Sequence, residues 1–80
     1  MVEIEITRAW NLAIQQLQFG ARVAIFLDDT MPIAWDGQIL TVAAKDPDAA
    51  KWLNDRISRT IANELRGILN CQVDVCFVAS

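Results

Sequence analysis

The 80-residue sequence contains no histidine, and its three glycines are scattered as Gly20, Gly37 and Gly67. Each shortage closes a class of chemistry. Without histidine, and with Cys71 and Cys76 forming no C-x-x-C pair, a zinc site has no adequate ligand set. Glycines so far apart cannot build a loop that cradles a phosphate. Ser58 and Ser80 have no activating context. Asp28-Asp29 and the pair Asp46 and Asp48 are explained by turn and helix-capping roles before any cation needs to be invoked. No nucleophile with its base, no carboxylate cleft and no metal set is visible, so the sequence predicts a non-enzymatic chain without cofactor or metal.

Positive charge is also scarce. Seven Lys and Arg against ten Asp and Glu leave a net charge of −3, the wrong sign for a protein dominated by nucleic acid or anionic membrane. A local basic stripe is still compatible with that balance. No apolar run approaches a membrane span, and the opening MVEIEITRAW lacks a basic segment followed by an apolar one. A cytoplasmic domain making no membrane contact is expected. Cys71 and Cys76 lie in a segment read mainly as strand, where an odd spacing points side chains to opposite faces. They are expected to be unbonded, small, buried or half-buried thiols of a reducing compartment.

What the chain has in abundance is apolar surface: 54% hydrophobic residues against 21% charged, too apolar for disorder. A chain of this length buries roughly 63% of its unfolded surface, enough for one modest core, so residues 1–80 are read as a single domain that folds alone or as a small oligomer. The strongest organising signal is 46–70, DPDAAKWLNDRISRTIANELRGILN. Asp46 is placed to cap a first turn, Pro47 suits the position after it, and Asp48 complements the positive helix end. Asn70 tolerates the left-handed conformation that ends a helix. Ala50, Leu53, Ile57, Ile61, Leu65 and Ile68 fall on one stripe of this predicted single helix.

Trp52 lies on the opposite side, with Arg56, Arg59, Asn63 and Arg66 around it. Trp and Arg are frequent binding anchors, so this face is a candidate for a partner protein or for weak single-stranded DNA, in which bases stack on the indole and the arginines meet phosphates. The competing reading covers Trp52 with another part of the chain and leaves the arginines solvated.

In the rest of the chain, residues 1–6 alternate for too few positions to define a strand and read as a lead-in. From Thr7, a candidate N-cap, the residues Trp10, Ala13, Ile14 and Leu17 recur with helical spacing, Ile6 joins them, and Gly20 is placed as a C-cap. Trp10 sits at the centre of this stripe, with Leu12 and Gln16 on the exposed side. ARVAIFL, 21–27, alternates like a strand but has the alanine content and length of a short helix, and periodicity leaves it open. Asp28-Asp29-Thr30 is a turn. Segments 31–35 and 38–43 flank Asp36-Gly37, a two-residue hairpin signal that sets Trp35 opposite Gln38, Ile33 opposite Leu40 and Met31 opposite Val42. That pairing gathers one apolar face to receive the long helix. Residues 72–78 close the fold as a third strand with Val73, Val75 and Phe77 on one side.

In this order the pieces WNLAIQQL, VAIFL, PIAWDGQILTV, AAKWLNDRISRTIANEL and QVDVCFV resemble the N-terminal domain of the bacterial replication initiator DnaA, from Thr7 to Val78. They are also similar to KH-like domains of the clamp-loader tau subunit and of the DciA helicase-loading proteins. The resemblance implies an α+β, KH-like fold of order α-α-β-β-α-β, a three-stranded sheet covered by helices on one face. It implies that 21–27 is a helix. It further implies a protein-contact module of replication initiation that self-associates as a homodimer or recruits the replicative helicase or initiator regulators; for a tau-like domain it implies polymerase contact. By the same resemblance Trp10 matches a tryptophan near the self-association surface, and the candidate partner face comprises Trp10, Leu12 and Gln16 with Arg22 and Phe26 of the second helix. Two positions depart from the family: Arg22 stands near a place often acidic, and Asp48 stands where some members have an aromatic residue. No GxxG loop is present, so clamping of a nucleic-acid backbone in the KH manner is not expected.

Overall fold

The computed structural model describes residues 4–27 and 29–79. The part of the expected lead-in at 1–3, Asp28 of the expected turn and pair, and Ser80 lie outside the described residues. Within them the chain forms α1 (Ile4–Leu17), α2 (Ala21–Leu27), β1 (Met31–Trp35), β2 (Ile39–Ala44), α3 (Pro47–Arg56), α4 (Ser58–Leu69) and β3 (Asp74–Ala79). This is an α+β fold with one mixed sheet of order β1-β2-β3, β1 antiparallel and β3 parallel to the central β2.

The expected long helix is present but bends at Ile57, which separates α3 from α4. Ile57 has φ −115° and ψ −29°, outside the helical average, yet its N–H still reaches Leu53 O at 2.8 Å and its carbonyl still accepts from Ile61. The cause is local: Ser58 Oγ donates to the carbonyl of Asn54 at 2.8 Å, a back-bond of the kind that bends helices. Both ends form as their residues dictate. Asp46 Oδ1 accepts from Ala49 N at 2.7 Å with Pro47 in the first turn, and Asn70 closes α4 at φ 55°. Despite the bend, Ala50, Leu53, Ile57, Ile61 and Leu65 are all buried, and Ile68 packs at the edge of the same cluster.

The first helix departs from expectation at both ends. It already includes Ile4, so Thr7 is an interior residue and not its cap. At the other end Gln18 takes the left-handed conformation (φ 48°), and Gly20 instead offers its carbonyl to Ala24 N at the start of α2. A polar residue has thus taken the role expected of glycine. Residues 21–27 are helical, the alternative that periodicity left open and the resemblance implied. Ile6, Ala9, Trp10 and Ala13 enter the core from α1, while Leu27 alone of α2 is fully buried.

The hairpin forms in a different register from the one the Asp-Gly pair suggests. Trp35 pairs with Leu40, and Asp36, Gly37 and Gln38 connect the strands. Asp36 Oδ1 accepts from Gln38 N (2.9 Å) and Ile39 N (2.7 Å), so its side chain builds a wider turn, with Gly37 at φ 96°. Beyond it a bulge at Ile33 shifts the pairing again, giving Pro32 opposite Val42 and Met31 opposite Ala43. Proline and a bulge suit an edge strand, where one backbone side has no ladder to serve. Beyond the bulge the net displacement from the expected register is one residue, which turns Met31 to the other face, and Ile33 is the bulged residue itself; the two are 63% and 45% exposed instead of lying under the helices. Leu40, Val42 and Phe77 supply the sheet's share of the core, joined by Val73 just before β3.

Candidate functional site

Trp10 is a core residue, 3% exposed. Its ring meets Phe77 edge-on at 5.9 Å and 63°, so of the residues expected on the partner face it is a packed core side chain and no part of the accessible surface. Leu12 and Gln16, on the other side of α1, are exposed. Arg22 is exposed on α2.

Phe26 and Trp52, which the sequence assigned to two separate faces, stack on each other. Their centroids are 4.5 Å apart with planes inclined by 19°. Trp52 is half-buried and packs against the core. The Arg56 guanidinium stands 5.9 Å from the Trp52 ring, and Lys45 Nζ stands 5.5 Å from the Phe26 ring. Three segments therefore contribute to one row of cation, aromatic, aromatic and cation, a geometry in which the negative ring faces attract the charges. Lys45 was not legible as part of it, because its neighbour Phe26 is 19 positions away and no periodicity links a loop to another helix. Ile25, adjacent to Phe26, is 61% exposed. It escaped notice because the conformation of its segment was open, and a strand would have turned it inward.

The arginine face divides. Arg59 is exposed. Arg66 is engaged: Nε donates to Val73 O at 3.1 Å, Nη1 to Asn63 Oδ1 at 2.9 Å, and Nη2 approaches Asp74 Oδ1 at 3.3 Å. Its role is to tie α4 to the start of β3. Between these elements lies a cleft of about 180 Å³, lined by Ser58, Arg59, Ala62, Arg66, Asp74 and Val75.

Neither cysteine is buried as expected: Cys71 and Cys76 are both exposed free thiols. The parity of β3 explains Cys76, since Val75 and Phe77 face the core and Cys76 must face away from it. Among the described residues no three potential metal ligands gather in one place, and no helix is long and apolar enough to cross a membrane. No protein-family model matches the chain, and no curated protein matches it.

Proposed function

We propose that this chain is a non-catalytic protein-contact module of replication initiation, KH-like as its resemblance to the initiator's N-terminal domain implies, working by self-association or by recruiting a helicase or regulator. The observation that carries the reading is the Phe26–Trp52 stack, flanked by Lys45 and Arg56 and adjoining the exposed Ile25. A stacked aromatic pair with an arginine against one ring, next in sequence to an exposed aliphatic residue, has residue types enriched at interface centres. The helical conformation of 21–27 also supports it, because that is the point at which the resemblance went beyond propensity. Leu12 and Gln16 on α1 and Arg22 on α2 extend the accessible surface.

Single-stranded nucleic acid as the partner draws less support. Phe26 takes one face of Trp52, and Arg66 is occupied by Val73, Asn63 and Asp74, leaving that reading with Arg56, Arg59 and a partly covered indole.

The test is capture of the chain by replicative helicase and initiator regulators, with sedimentation to follow self-association. Ile25→Glu, at an exposed position, is expected to weaken the interaction at least tenfold with the fold intact. Absence of binding together with a strictly monomeric state at high concentration would count decisively against the reading.

A further inference from the structure

Strand β3 is an edge strand whose peptide groups alternate in direction. Asp74 N donates to Gln38 O at 2.8 Å on the β2 side, so Asp74, Cys76 and Val78 serve the ladder while Val73, Val75 and Phe77 turn their peptide groups outward. At two of these three outward positions a helix side chain takes the backbone. Arg66 Nε donates to Val73 O at 3.1 Å, and Asn54 makes two bonds to Phe77, at 2.8 and 2.7 Å. Val75 stands between them, and no side chain of the described residues bonds its outward N–H and C=O. The cleft beside α4 opens at this position. On its wall the Arg59 side chain is exposed and has neither ion pair nor hydrogen bond among the described residues.

We propose that this cleft receives a short, extended, acidic segment of a partner protein, one peptide unit of which pairs with Val75 while a neighbouring carboxylate meets Arg59. An extended chain offers a donor and an acceptor on the same side of one residue, the complement of the open position at Val75. The guanidinium fork fits a carboxylate in two parallel bonds. Because Asn54 and Arg66 close the adjacent positions, the segment enters over one rung only and cannot add a full strand. A phosphodiester chain has no N–H to give the Val75 carbonyl, which favours peptide over nucleic acid. This surface is separate from the Phe26–Trp52 row, and the inference does not depend on the function proposed above.

The experiment is a nuclear magnetic resonance titration of the ¹⁵N-labelled full chain with acetyl-(Val-Glu)3-amide, acetyl-(Val-Gln)3-amide and a thymidine hexanucleotide. The glutamate peptide is expected to shift the Val75 amide and the Arg59 side-chain Nε–H. Arg59→Gln, or the glutamine peptide, should weaken the effect about tenfold or more, and high salt should weaken it as well. Val75→Pro removes the outward N–H at an edge position that tolerates proline, and it should abolish the shift in the remaining residues of the cleft. An unmoved Val75 amide at millimolar peptide overturns the proposal. So does equal binding by Arg59→Gln, or a hexanucleotide that shifts the same resonances at lower concentration than the peptide.

Discussion

The carboxamide of Asn54 on α3 holds both backbone groups of Phe77 on β3: Nδ2 donates to Phe77 O at 2.8 Å, and Phe77 N donates to Oδ1 at 2.7 Å. A side chain thus stands where a fourth strand would otherwise pair, one of the means by which proteins protect an exposed sheet edge. Asn54→Ala is expected to lower stability by about 1–3 kcal/mol, the net contribution of two ordinary hydrogen bonds. Urea unfolding measures that loss, and sedimentation of the variant should reveal association through the uncovered strand edge, beyond any self-association of the parent chain at the same concentration.

The Phe26–Trp52 pair gives a second prediction. Facing aromatic pairs contribute about 0.5–1.5 kcal/mol beyond their buried area, so a double-mutant cycle with Phe26→Leu and Trp52→Leu should return a coupling in that range. Phe26→Leu should also shift the emission of the protein to longer wavelength, as Trp52 loses its cover. A coupling near zero would mean that the two rings pack independently.

For Asp36, hydrogen bonds from Ile39 N and then Gln38 N hold the carboxyl below the ordinary aspartate range. Both bonds favour the charged form. A carboxyl whose pKa is lower folded than unfolded contributes stability that is fully present above the unfolded value and is lost as pH falls through the folded one. Stability should therefore decline on acidification below about pH 4, the unfolded carboxylate range, with part of the decline absent in Asp36→Asn. The check is the carboxyl titration of Asp36, read alongside the amide shifts of Gln38 and Ile39.

Gly67 sits inside α4 with open space where a Cβ would stand. Replacing it by alanine removes unfolded-state freedom without a clash and should stabilise the chain by about 0.5–1 kcal/mol. Thermal unfolding should rise by several degrees, since about 4–8 °C accompany each kcal/mol in a domain of this size.

Periodicity and capping made much of the fold legible. The Ala50-to-Leu65 stripe, the Asp46 and Asn70 caps and the inward Val73 and Phe77 are all consequences of local spacing, and the structure places them accordingly. The register of the hairpin was not legible, because it depends on where the Asp36 carboxylate finds donors and on a bulge at Ile33. Gly20 misled for a related reason: Gln18 could bear the left-handed conformation and released the glycine for α2. At the candidate site, the wheel that set Trp52 apart from the apolar stripe was sound, but it could not name the cover. Phe26, like Asn54's partner Phe77, arrives from a distant segment, and long-range pairing leaves no period in a sequence.

The break at Ile57 also has a consequence for how the helical pattern covers the core. A straight α-helix from Pro47 to Leu69 would be about 34 Å long at 1.5 Å per residue, longer than the 29 Å extent of the described chain along its longest principal axis. An unbent rod would project past the sheet and carry one end of its apolar stripe into water. Turned at its middle, the same stripe lies under β2 and β3 with its first half and reaches α1 with its second, so a single helical pattern can seal two sides of a core that a chain this short could not otherwise close.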